Sequence, residues 1–153
     1  MHSSLAVANR FLELAGQRED SVTPMKLLKL VYLAHGWMLG LHGRPLISDH
    51  VEAWRYGPVI PVLYNAARRF RNEPISHLFH LRPVKFDEAE ADIIRQTYEI
   101  YGHKTGPALS RLTHMPGGPW ETVYEHGRFG TVIPNDLIED HYRQLAARAP
   151  TNA

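Results

Sequence analysis

Met25 to Val59 reads MKLLKLVYLAHGWMLGLHGRPLISDHVEAWRYGPV, and this stretch decides the fold. Thr23-Pro24 opens a helix just before it, with the threonine as N-cap and the proline at the first helical position, where no N–H is needed. The helix is expected over about residues 23–41. Leu27, Leu28, Leu30, Val31, Tyr32, Leu33, Ala34, Trp37, Met38, Leu39 and Leu41 cover almost its whole circumference. A helix apolar nearly all round is packed on every side. Lys26 and Lys29 share one stripe, and Gly36 and Gly40 lie further along it, where a neighbouring backbone can approach closely. Gly43-Arg44-Pro45 ends the element. Leu46 to Tyr56 then reads as extended, because Val51, Ala53 and Arg55 alternate with Glu52, Trp54 and Tyr56. Gly57-Pro58 is a turn.

The flanking sequence supplies more helices. Ser3 or Ser4 caps a first helix to about Gly16, with Leu5, Ala8, Leu12 and Ala15 at spacings of three and four. Pro61 begins a third, with Val62, Leu63, Ala66, Ala67 and Phe70 inward and Asn65, Arg68, Arg69 and Arg71 outward. Ile75 to Phe86 reads as one or two short strands broken at Pro83. Asp87 caps a fourth helix with Glu90 placed for a capping box, and Ile93, Ile94, Thr97, Tyr98, Ile100 and Tyr101 form its apolar face. Gly106-Pro107 starts a fifth. Met115 to Trp120 is a rigid loop, Trp120 to Tyr124 a helical turn, Arg128 to Ile133 a strand, and Asn135 to about Arg148 a last helix. The expected fold is mainly α: a single compact helical domain around the buried central helix, with a small antiparallel β element.

The totals exclude several classes. At 153 residues the chain suits one domain, and its 44% hydrophobic and 22% charged content is that of an ordinary globular protein. There is no cysteine, so disulfides and thiolate metal sites are excluded. No run of eighteen apolar residues suggests a membrane span, and Asn9, Arg10 and Glu13 interrupt any leader-like N-terminus, so a cytoplasmic protein is expected. The net charge of +1 gives no bulk argument for nucleic acid or membrane. It hides an asymmetry. Residues 55–85 carry Arg55, Arg68, Arg69, Arg71, Arg82 and Lys85 against Glu73 alone, while residues 86–99 are acidic. Such faces are either merely solvated or a basic docking surface.

No catalytic motif stands out. Ten histidines invite a metal reading, but His35 and His42 are two helical turns apart, about 10 Å, too far to share an ion. His77 and His80 diverge on an extended chain. No nucleophile elbow, P-loop or dinucleotide fingerprint occurs, and no catalytic, cofactor-binding or metal-ligating residue is assigned. Ser110 and His114 stand at i, i+4, without an identifiable oxyanion hole or orienting third group; satisfaction of a helix end explains them equally. A hydrolase or nuclease assembled from distant histidines and carboxylates remains an alternative. So does a nucleic-acid module, in which Arg68, Arg69 and Arg71 contact phosphates and Phe70 stacks on a base. Tyr32 and Trp37 read as core; Trp54, Tyr56 and Trp120 are open between core and contact surface.

Three blocks carry a resemblance: KLLKLVYLAHGWMLGLHGRPL from Lys26, EAWRYGPVIPVLY from Glu52 to Tyr64, and LSRLTHMPGGPW from Leu109 to Trp120. In this order they resemble the Panacea domain, the SocA-like antitoxin family. The residues carried over are Lys26, Leu27, Lys29, Leu30, Tyr32, Gly43, Arg44, Pro45, Trp54, Tyr56, Gly57, Pro58, Val59, Thr113, His114, Pro119 and Trp120. The resemblance implies a domain over residues 3–148 with a frayed tail at 149–153. It also implies a non-enzymatic, cofactor-free protein of bacteria, phages and mobile elements, commonly encoded beside a toxin that it neutralises by direct binding. A proteolytic adaptor, presenting a toxin to an ATP-dependent protease, is the second mode in the family. A fold reused for many partners keeps its scaffold and varies its contacts. Most motif residues are therefore expected to be structural, and Trp54, Arg55, Tyr56, Arg68, Arg69 and Arg71 are the expected partner contacts.

Overall fold

The structure, a computed structural model, describes residues 1–124 and 128–148. Its helices are α1 (Ser4–Gln17), α2 (Pro24–His42), α3 (Pro61–Ala67), α4 (Glu88–Tyr101), α5 (Gly106–Thr113), α6 (Pro119–Val123) and α7 (Asn135–Arg148). Strands β1 (Val51–Trp54), β2 (Gly57–Val59) and β3 (Thr131–Ile133) form one antiparallel sheet in the order β2-β1-β3. Pro58 lies on an edge strand, where a missing N–H breaks no ladder.

Local chemistry sets the ends of α2. The Thr23 side chain accepts from the Lys26 N–H at 3.4 Å, and Gly43, at φ +68°, closes the helix by donating to the Leu39 carbonyl at 2.9 Å. Helices α1, α4, α5 and α7 pack around α2. Leu27, Leu30, Val31, Ala34 and Met38 are fully buried. The glycine stripe is where α7 docks: Gly36 faces the Tyr142 ring, and Gly40 faces the Tyr142–Arg143 backbone. The Asp87–Glu90 capping box forms in both directions, at 2.8 and 2.9 Å. Arg44 ties the turn after α2 to it, with Nη2 2.9 Å from Asp87 and Nη1 3.7 Å from Glu90.

Three expectations are corrected. Ile75 to Phe86 forms no strand. Asn9 takes the backbone of Phe79 instead, donating to its carbonyl at 2.9 Å and accepting its N–H at 2.7 Å. A side-chain amide from α1 thus does what a partner strand would do. Val62 and Ile100, expected inward, are exposed. Helix α3 is only seven residues long and buries one short stripe, Leu63 and Ala67, while Ile100 falls at the rim of the α4 stripe. Phe70 is only half-buried; it sits in a 3₁₀ turn, Arg68–Phe70, with the His77 ring 5.3 Å away. The expected frayed tail lies outside the described residues.

Tyr32 is 1% exposed at the centre of the core; its hydroxyl makes no well-formed hydrogen bond among the described residues, and the Tyr142 hydroxyl is the polar group that acts on it. Removing a buried hydroxyl whose one polar neighbour, Tyr142, gives it no well-formed hydrogen bond relieves its desolvation. Tyr32→Phe is therefore expected to leave stability unchanged or raise it by up to about 1 kcal/mol in urea unfolding. A loss above about 1 kcal/mol would show that the contact with Tyr142 is a stabilising hydrogen bond.

Candidate functional site

The turn between β1 and β2, formed by the second sequence block, is held by side chains from the first and third. The register pairs Trp54 with Gly57, leaving Arg55 and Tyr56 at the tip. Three alternate carbonyls are each taken by a distant donor. Trp120 Nε1 donates to the Trp54 carbonyl at 2.6 Å, Ser110 Oγ to Tyr56 at 2.7 Å and Lys29 Nζ to Pro58 at 2.8 Å. Gly57 has φ +116°, and a Cβ there would lie 3.1 Å from Lys29 Nζ and 3.4 Å from His114 Cβ. Only glycine suits that backbone and that space. His114 stacks edge-on to Trp120, 5.2 Å between centroids, and its Nδ1 contacts the Ser110 carbonyl. Ser110 and His114 therefore each serve a backbone carbonyl and are not hydrogen-bonded to each other as a dyad. Thr113 bonds back to the carbonyls of Leu109 and Ser110 at 3.0 and 3.1 Å.

Behind the turn lies a pocket of about 370 Å³. Its lining includes Met25 and Leu28 of α2, Val59 and Tyr64, and the rings of Trp54 and Phe129. Trp54 is half-buried between Tyr64 at 4.8 Å and Phe129 at 4.7 Å, with its indole N–H on Glu52 Oε1 at 2.9 Å. Tyr56 is 63% exposed, and the Arg55 guanidinium lies 5.3 Å from its ring centroid. Lys29, Arg55, Arg68 and Arg71 also line the pocket, and among the described residues no carboxylate does. Lys29 is 3% exposed, and burial without an acidic partner pushes its pKa down to about 8.

Of the six expected contact residues, Trp54, Arg55, Tyr56, Arg68 and Arg71 thus line one pocket. Arg69 does not; its guanidinium lies 5.0 Å from the Phe70 ring centroid, away from the others. The basic stretch is also split, since Arg82 and Lys85 line a separate groove beside Arg10 and Glu13. Phe129, Tyr64, Met25 and Leu28 were not among the expected site residues. Phe129, 78% exposed yet with its ring on Trp54, carried no signal in the sequence, where a lone phenylalanine between an arginine and a glycine has no pattern.

The remaining motif residues serve the scaffold. Leu27, Leu30 and Tyr32 are core, Pro119 is the buried first residue of α6, and Lys26 lines a polar cleft beside Arg18 and Asp20. His35, 0% exposed, accepts at Nδ1 from the Leu46 and Ile47 N–H groups at 3.3 and 3.4 Å. Its Nε2 is 3.0 Å from Asn135 Oδ1, so that nitrogen carries the proton. Desolvation pushes its pKa down to about 4. Among the described residues no three His, Asp or Glu side chains converge as a metal site would require, and no helix is long and apolar enough to cross a membrane.

A helical domain built round one apolar helix, with a hairpin turn pinned by donors from two distant sequence blocks, defines the class. The comparison with known families makes it specific. The chain belongs to the family described as "Antitoxin SocA-like, Panacea domain", which matches residues 27–121 and so spans all three blocks. It is 29% identical over 152 residues to Antitoxin SocA of Caulobacter vibrioides (strain NA1000 / CB15N), an alignment covering 90% of this chain and 81% of that protein. No solved structure matches the chain.

Proposed function

We propose that this protein is an antitoxin that neutralises a cognate toxin by direct protein–protein binding, without catalysis of its own. Family membership supports the antitoxin role. The observation that carries binding is the pinned turn. Tyr56, Arg55 and the Trp54 wall are presented on a backbone whose carbonyls are already tied to Trp120, Ser110 and Lys29. Such a turn loses little conformational freedom on association, and aromatic and arginine side chains supply the largest share of binding energy at interfaces. The mechanism is occlusion: the toxin's active or target-binding surface is covered by this face.

The test is co-expression with the product of the neighbouring gene. That product is expected to arrest growth alone and to lose its effect when this chain is present. Tyr56→Ala is expected to weaken the isolated complex by about 10-fold or more. A neighbour that is harmless alone, or equally toxic in the presence of this chain, would sink the antitoxin reading. Partner half-life separates the two modes: unchanged under occlusion, shortened if the chain delivers its partner to an ATP-dependent protease.

A further inference from the structure

The pocket behind the turn has an electrostatic imbalance that the fold does not use. Lys29 is buried, yet its ammonium spends one of three N–H donors on the Pro58 carbonyl and meets no carboxylate among the described residues. Arg55, Arg68 and Arg71, exposed at the pocket's rim, add three more positive charges and have no ion pair among the described residues. A cation as buried as Lys29 is ordinarily paired. The pairing charge is therefore to be sought in an occupant.

Arg71 points the same way by its backbone. Phe70 to Glu73 form a turn closed by the Glu73 N–H on the Phe70 carbonyl at 2.9 Å, and Arg71 sits at φ +54°, ψ −119°. That is the first central position of a type II′ turn, which glycine dominates. An arginine there is strained, and strain held at a pocket wall is a sign of function.

Resting on the antitoxin reading, we propose that this pocket receives a segment of the partner protein in which a carboxylate adjoins a bulky apolar side chain. The carboxylate takes the free donors of Lys29, Arg68 and Arg71, and the apolar group fills the space between Leu28, Val59 and the Trp54 and Phe129 rings. A volume of about 370 Å³ is at the low end of ligand pockets and admits one or two side chains, not a folded element. The apolar walls favour such a segment over a bare phosphate, and charge complementarity gives it speed of encounter as well as specificity.

The test titrates the purified full chain with N-acetyl-L-phenylalaninate and with N-acetyl-L-phenylalanine amide, read by NMR shifts of the Trp54 indole. The carboxylate is expected to bind at about 1 mM, as suits a ligand of its size, and the amide about 10-fold more weakly. Arg68→Glu is expected to abolish the difference. Arg71→Gly, which suits the turn, should weaken the carboxylate several-fold yet raise the melting temperature by about 2–4 °C; a purely structural arginine would not move the two in opposite senses. Arg69→Glu, on the same turn but outside the pocket, should change neither. Equal binding of acid and amide, binding of neither, or full binding by Arg71→Gly overturns the proposal. So does displacement of the acid by a DNA duplex with steep salt dependence, which would give the pocket to nucleic acid. Because the titration needs no toxin, it can fail while neutralisation persists, or succeed while neutralisation fails.

Discussion

Gly40→Val is expected to lower the unfolding free energy by about 3 kcal/mol, whereas Gly16→Ala should raise it by about 0.5 kcal/mol. Both glycines lie in helices, and propensity alone favours replacing either one. Space decides the sign. A Cβ on Gly40 would lie 2.7 Å from the Tyr142 Cβ, 2.8 Å from its carbonyl carbon and 2.9 Å from the Arg143 nitrogen. Two of those atoms are backbone of α7, so relief requires the whole helix to move away from α2. That movement also opens the contacts of Tyr142 with Tyr32 and Trp37, whose rings lie 6.3 and 5.1 Å from it. Around Gly16 nothing lies within 4 Å of a Cβ, and its φ is not positive. Urea unfolding followed by circular dichroism checks both. A Gly40→Val protein as stable as the parent would show that α7 does not pack there.

The glycine stripe was legible because close approach leaves a trace in one helix alone. The same holds for the other features set within a few residues: the Thr23-Pro24 start and Gly43 stop of α2, and the Asp87–Glu90 box of α4. What escaped was set at long range. Residues 75–86 have the composition of strands, but strand identity requires a partner edge, and Asn9, 70 residues earlier, occupies the Phe79 backbone instead. The order β2-β1-β3 joins Val51 to Ile133, a pairing no local pattern announces.

The site divides in the same way. Trp54, Arg55 and Tyr56 drew notice as an aromatic and basic cluster beside a Gly-Pro turn, and Arg68, Arg69 and Arg71, which follow α3, as a charged run. That Arg68 and Arg71 join them while Arg69 turns away depends on the 3₁₀ turn after Ala67, which no periodicity rule places. Lys29 was visible as a cation in an otherwise apolar helix. Its part in the pocket became apparent only with the Pro58 carbonyl against it. The three motif blocks meet at a single turn: the second block forms it, the first supplies the Lys29 donor, and the third supplies Ser110 and Trp120.

Acid is expected to remove about 3 kcal/mol of stability through His35 as the pH falls from about 6.5 to about 4. The imidazole is wholly buried, and its Nδ1 already accepts two backbone N–H groups, so a proton there would face the Leu46 and Ile47 donors. The Asn135 carbonyl oxygen favours the charged ring, but desolvation outweighs it. The sign follows. The folded pKa of about 4 lies below the ordinary 6.5, so between those values the unfolded chain binds the extra proton. The stabilisation is fully present above 6.5, declines as pH falls, and is constant again below the folded value. His141, whose pKa is also held down by burial and by Arg148, acts in the same direction; Lys29 titrates near 8 and contributes nothing in this window. Urea melts from pH 7 to 4 should show the decline, and His35→Gln should flatten it. If that variant proves too unstable to compare, the parent still decides the matter. A His35 ring resonance titrating near 6.5 in the folded protein would mean that the imidazole is not sealed between α2, the Leu46–Ile47 segment and the start of α7.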